Sequence, residues 1–214
     1  MNATLHYVFD PLCGWCYGAE PLAAAAEQVV GLGMRLHAGA LWPQPTQLPE
    51  HMRRYIQQAD ARIAQMSGQP FGDAYLHGLL QDPQLVLDSR PVIAAVLAAQ
   101  SLDAKKALPM LRGIQHAHYE QGRHVVQEGT LLEIAKAVGL DSQAFAAALH
   151  SVPVDRHIAE AREFMSNIGA QGFPTFVLQI GEDWFAVPHG RFAAAPAKFA
   201  DWLETQLESH SVAH

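Results

Sequence analysis

Cysteine is nearly missing from this chain, with only Cys13 and Cys16 among 214 residues. A secreted disulfide scaffold spreads several cysteines along its length, so that class is excluded. Long apolar runs are also missing, and no stretch approaches the ~18 residues that argue for a membrane span. The first residues lack the basic start, apolar stretch and small-residue cleavage site of a secretory signal. Strand-like residues begin near position 4 and Cys13 follows almost at once. The expected location is therefore the cytoplasm. Clustered positive charge is scarce too. Fourteen Lys and Arg face twenty-one Asp and Glu, for a net charge of −7. Arg53-Arg54 and Lys105-Lys106 are the only basic doublets, so a nucleic-acid groove has no electrostatic footprint. Internal repeats and low-complexity stretches are absent as well.

What is present is ample core material. Half of the residues are hydrophobic, which suits one domain or a small domain carrying an insertion. Residues 4–9 are rich in β-formers and end at Asp10-Pro11, which predicts a buried strand closed by a turn. Good helix formers follow over residues 20–30, with Leu22, Ala26, Val29 and Val30 on one face. Residues 34–40 alternate as a second strand. From residue 49 to 167 the period turns helical. Ser89-Arg90-Pro91 reads as a helix start with serine as its cap. Asp141 caps a short helix, and Asp155 opens the last of the series. Strands return at 175–180 and 184–187 around a turn at 181–183, before a final amphipathic helix. The order is β-α-β, a helical block, then α-β-β-α.

Cys13-Gly14-Trp15-Cys16 falls where the first strand gives way to a helix. Thiols at i and i+3 occupy neighbouring positions on one turn, close enough to bridge. The first sits at the helix N-terminus, where free N–H groups and the macrodipole favour an anion. Cys13 is thus the expected nucleophile, and Cys16 the more buried thiol that resolves a mixed disulfide. Zinc is the rival reading, but a structural site needs four ligands. His116, His118, His210 and His214 could complete one only in number, so no metal is expected. Downstream, Gly172-Phe173-Pro174-Thr175-Phe176 leads directly into an apolar strand. Proline is confined to strand starts and edges, and X–Pro bonds adopt cis far more readily than others. Phe173-Pro174 is either a cis peptide or an ordinary strand-leading turn. Asp10 either caps the turn before Pro11 or relays a proton during resolution.

Together, Asp10-Pro11-Leu12-Cys13-Gly14-Trp15-Cys16-x-Gly18 and the Gly172 to Phe176 segment resemble the DsbA-like branch of the thioredoxin superfamily, in particular its cytoplasmic FrnE-like members. The resemblance implies an α/β thioredoxin-like fold with a central sheet. Residues 1–48 and 153–214 would form it, and residues 49–152 would be a helical domain inserted after the first β-α-β unit. It implies attack by Cys13, resolution by Cys16 and a cis Pro174 facing them. Trp15, Phe173, Pro174 and Thr175 would line the substrate groove, with Trp15 either a lip for substrate or packing for the insertion. Periplasmic DsbA-type oxidants carry proline-histidine where Gly14-Trp15 stands, so reduction or isomerisation is expected rather than strong oxidation. No resident cofactor is implied, although glutathione could serve as reductant or co-substrate. The implied partners are a disulfide-bearing protein or small molecule and a cellular thiol reductant, with neither nucleic acid nor membrane. Kappa-type glutathione transferases and hydroxychromene-carboxylate isomerases form the alternative. They usually place serine where Cys13 stands, and both thiols here favour the oxidoreductase.

Overall fold

A computed structural model describes residues 3–212; of the residues named above, His214 lies outside that range. The chain opens with β1 (Ala3–Phe9), a short α1 (Gly14–Gly18), α2 (Glu20–Ala26) and β2 (Leu32–Ala38). A long middle section follows. It holds β3 (Thr46–Gln47), α3 (Glu50–Ser67), a π-helical turn (Ala74–Gly78), β4 (Val86–Leu87), α4 (Ser89–Leu102), α5 (Ala107–Tyr119), α6 (Glu128–Ala137) and α7 (Ser142–Leu149). The chain closes with α8 (Val154–Asn167), β5 (Thr175–Ile180), β6 (Asp183–Ala186) and α9 (Pro196–Val212).

The main sheet runs in the order β2-β1-β5-β6. β1 is parallel to β2 and antiparallel to β5, with Tyr7 opposite both Leu36 and Phe176. This is the expected thioredoxin-like α/β arrangement. Alternation along β1 sends Leu5, Tyr7 and Phe9 to one face, where all three are fully buried. Tyr7 stacks on Phe176 at 4.4 Å, and Phe176 meets Phe199 of α9 edge-on. The opposite face carries His6 and His37, which stack with Phe164 of α8. Each large apolar side chain buried this way contributes roughly 1.5–3 kcal/mol. A surface ion pair such as Arg156–Glu160 adds about 0–1 kcal/mol, so the core holds the fold.

Two local expectations change, and one element is added. Val30 is exposed rather than packed, because α2 stops at Ala26 and the chain turns through Gly31 at φ 81°. Asp88, not Ser89, caps α4 by accepting the Arg90 N–H at 2.9 Å. Ser89 is fully buried, and its Oγ accepts the Trp42 N–H at 2.9 Å, so tertiary bonds occupy the hydroxyl. The β3–β4 ladder, two residues on each side, is too short to leave a periodic signature.

Candidate functional site

β1 delivers the chain to the site. After Phe9 the backbone turns at residues 10–12, with the Cys13 N–H donating to the Asp10 carbonyl at 3.2 Å. Cys13 is extended, at φ −97° and ψ 116°, and occupies the N-cap of α1. Its carbonyl accepts from the N–H groups of Cys16 and Tyr17 at 2.9 and 3.0 Å. The same turn brings Cys16 directly behind Cys13. Both are free thiols. Cys13 keeps 6% of its surface exposed and Cys16 none. The Cys16 sulfur accepts the Asp10 N–H at 3.5 Å, and its carbonyl accepts the Tyr7 hydroxyl at 3.3 Å. Burial pushes the Cys16 thiol well above its ordinary range, and hydrogen bonding with Cys13 adds to that.

The Phe173-Pro174 peptide is cis, and the Cys13 thiol donates to the Phe173 carbonyl at 3.8 Å. Trp15 is 41% exposed and stands between two cavities. One is a groove of about 360 Å³ walled by Trp15, Leu22, Ile63, Met66, Phe173 and Pro174. The other, about 250 Å³, lies on the helical side and is lined by Cys13, Trp15, Ile56, Asp60, Tyr75 and His118, among others. Cys13, Cys16, Trp15, Phe173 and Pro174 are thus gathered at one place. Thr175 adjoins them, but its hydroxyl donates to the Gly172 carbonyl at 2.8 Å, and it is not among the residues walling the groove.

Asp10 is fully buried. One carboxylate oxygen accepts the Leu12 N–H at 2.7 Å and the other accepts the Leu41 N–H at 2.8 Å. Burial raises its pKa, against the lowering effect of the Ser89 hydroxyl and these two N–H groups. The side chain clasps the cysteine loop to the segment after β2. Among the histidines weighed for zinc, His118 is buried in α5, where burial pushes it down to about 3, while His116 pairs with Glu120 at 2.7 Å.

Sequence reasoning missed two residues beside the site. Arg162 of α8 donates to the Ala40 carbonyl, and its guanidinium sits 5.2 Å over the Phe173 ring. Asp60 of α3 is 2% exposed and lies against the dipeptide between the cysteines. A Cβ at Gly14 would come within 2.7 Å of its Oδ1, so a side chain there would press on this carboxyl. The available signal was an acidic residue, Asp60, on the otherwise apolar stripe of Ile56, Ala59 and Ile63.

Known proteins resemble this chain. The cytosolic disulfide reductase DsbM from Pseudomonas aeruginosa is 46% identical with a TM-score of 0.88, covering 96% of this chain and 98% of that one. The same protein with GSH matches at 45% and 0.85, over 96% of this chain and 99% of that one. A 2-hydroxychromene-2-carboxylate isomerase matches at 17% and a TM-score of 0.63, over 96% and 98% of the two chains, a likeness of fold alone. The ClpXP adapter protein SpxH of Bacillus subtilis (strain 168) is 29% identical over 149 residues, 68% of this chain and 48% of that protein. The match thus spans about half of that relative's length. The family model for the DSBA-like thioredoxin domain matches residues 4–195, and with the thiols, strand order and helical section in place, the chain belongs to the DSBA-like thioredoxin-domain family.

Proposed function

We propose that this chain is a dithiol–disulfide oxidoreductase working as a reductase or disulfide isomerase, with glutathione as its thiol partner. The observation that carries the reading is the placement of the two sulfurs. Cys13 sits at the N-cap of α1 with a little exposed surface, and the fully buried Cys16 is one turn behind it. In this reading the Cys13 thiolate attacks a substrate disulfide R–S–S–R′. A Cys13–S–S–R bond forms, and R′S⁻ leaves and takes up a proton. Cys16 then attacks the Cys13 sulfur, releasing the second substrate thiol and leaving the Cys13–Cys16 disulfide. Two glutathione thiols return the pair to the dithiol and leave as glutathione disulfide. An isomerase cycle differs only in its last step, where a substrate thiol rather than Cys16 displaces Cys13.

Trp15, Phe173 and Pro174 form the substrate-facing wall in this reading, and the groove of about 360 Å³ beside them supports it. The section 49–152 acts as the inserted unit whose α3 supplies the opposite wall. A cytosolic setting is supported by the printed description of the DsbM relative, and a reducing glutathione poise favours the dithiol at rest. No described helix is long and apolar enough to cross a membrane.

The test is to equilibrate the pure protein in graded glutathione buffers, alkylate free thiols and read the states by mass. Reversible closure of Cys13–Cys16 is expected, and its midpoint separates reductant from oxidant. A pair that never closes, with a stable glutathione adduct or complex instead, would move the assignment to a glutathione-dependent transferase or isomerase.

A further inference from the structure

The oxidoreductase reading leaves one question of chemistry open. Each half-reaction moves a proton from an enzyme thiol to a leaving thiolate, and some group must carry it. Asp10 is poorly placed for that work, because backbone N–H donors occupy both of its oxygens. Asp60 is placed differently. Its Oδ2 accepts the Tyr75 hydroxyl at 2.8 Å. Its Oδ1 points at Gly14, between the two cysteines, and Asp60 lines the same cavity as Cys13. That cavity holds about 250 Å³, room for several waters at ~30 Å³ each. Two other residues lining it, Trp42 and His118, carry buried polar atoms without a protein partner, Nε1 and Nδ1. A solvent-sized space, apolar over most of its lining but edged by these polar groups, connects the carboxyl of Asp60 with the site of Cys13.

We infer that Asp60 is the group that takes the proton from the Cys13 thiol and returns it to the leaving thiolate across this cavity. The inference rests on the oxidoreductase reading above. In the first half-reaction the Asp60 carboxylate accepts the proton of Cys13–SH through cavity solvent. The thiolate then forms the S–S bond to R, and the electron pair of the broken R–S–S–R′ bond leaves on R′S⁻. The carboxylic acid donates its proton to R′S⁻, giving R′SH and restoring the carboxylate. Cys13–SH and RSSR′ become Cys13–S–S–R and R′SH, with no other reagent consumed. Burial lifts Asp60 to about 7, against the lowering effect of the Tyr75 bond, so both of its forms are populated at neutral pH. The groups lining the cavity with it from neighbouring elements are Cys13 at the N-cap of α1, Tyr75 of the π turn, and His118 and Tyr119 of α5. His118 is neutral there, and burial keeps both tyrosines protonated. On its own helix, Tyr55 reaches the same cavity, and Arg53 donates away to the Leu48 carbonyl.

The experiment compares two neutral disulfides in single turnovers of the reduced protein from pH 5 to 9. Hydroxyethyl disulfide releases a basic thiolate that needs a proton, whereas 4,4′-dithiodipyridine releases a group that does not. Asp60→Asn should slow both near pH 7, since both need the Cys13 proton removed, but slow the first by on the order of 10²-fold and the second by clearly less. The inflection near pH 7 should vanish with it. Tyr75→Phe should keep the inflection and move it to higher pH, which carries the test even if Asp60→Asn fails to fold. Equal slowing of both probes, or unchanged profiles in the variants that fold, would overturn the assignment. The glutathione titration separates the two failures. If the wild-type pair closes reversibly while the probes do not split, only Asp60's role is lost; if it never closes, the oxidoreductase reading falls first.

Discussion

Replacing Cys16 with alanine should leave Cys13 able to attack but unable to be released. Mixed disulfides should then accumulate, detectable as adducts by mass under non-reducing conditions. Cys13→Ala should trap none, because the remaining sulfur is wholly buried. Adducts on neither thiol in Cys16→Ala would count against the mechanism. The difference in burial between these two residues was legible in the sequence, since a thiol at i and another at i+3 on an opening helix differ in burial by geometry alone. The surroundings were not. Asp60 stands 44 positions beyond Cys16 and Arg162 lies in α8, and no local pattern couples them to residues 13–16. Asp10 shows the converse. The sequence marked it as chemically interesting, and the structure has both of its oxygens held by Leu12 and Leu41.

At the scale of elements, the start of α4 carries a sharp test. Asp88→Ala removes one capping bond at a part-buried helix end and should cost about 1 kcal/mol. Ser89→Ala should cost more, about 1–3 kcal/mol, because the hydroxyl is fully buried and its loss leaves the part-buried Trp42 N–H without its acceptor. Urea unfolding of both variants checks the order, and a larger loss for Asp88→Ala would contradict it. This ordering reverses what the sequence pattern suggests, in which Ser89 is the cap. Periodicity located α3, α5 and α7 well because their apolar stripes repeat over two turns or more. Asp141 caps α7 as expected, accepting the Ala144 N–H at 2.8 Å. Periodicity had nothing to say about the π-helical turn or the β3–β4 pair, which are too short to show a period.

For the whole molecule, pH dependence follows chiefly from three groups that burial shifts far, His118, His37 and Asp60. His118 and His37 are both pushed down to about 3, chiefly by burial; for His37, neighbouring His6, Arg35 and His157 add to it. Their folded values lie below the ordinary 6.5, so between these limits the unfolded chain binds protons that the folded chain does not. Stability is therefore lost as pH falls from about 6.5 towards 3, with a slope for buried His118 of at most about 1.4 kcal/mol per pH unit. Asp60 has the opposite sign. Its folded value of about 7 lies above the ordinary 3.8, so the fold holds a proton that the unfolded chain gives up, and stability is lost as pH rises from 3.8 to 7. Burial lowers His6, His157 and His189 as well and raises Asp10, so five histidines stand against two carboxyls and give a net loss towards acid. Urea midpoints at pH 8 and pH 4.5 should show it. At pH 8 Asp60→Asn should be more stable than wild type, because a neutral amide has no ionisation to lose; a less stable variant at pH 8 would contradict this.

The sequence by itself determined the alternation of β1 and β5, the helical section between two halves of a sheet, and the pair of thiols on one helical turn. Each of these is written in neighbouring residues, where side-chain period and backbone geometry act directly. Only the tertiary structure decided what faces the thiols. The Phe173 carbonyl lies 160 positions from Cys13, and the Asp60 carboxyl is laid against Gly14 by the packing of α3 on α1. Such contacts depend on how elements close upon one another, and burial then sets the charge state of the groups enclosed. A carboxylate reads the same in the sequence whether it is solvated or sealed beside a sulfur; its environment, and with it its chemistry, exists only once the chain has folded.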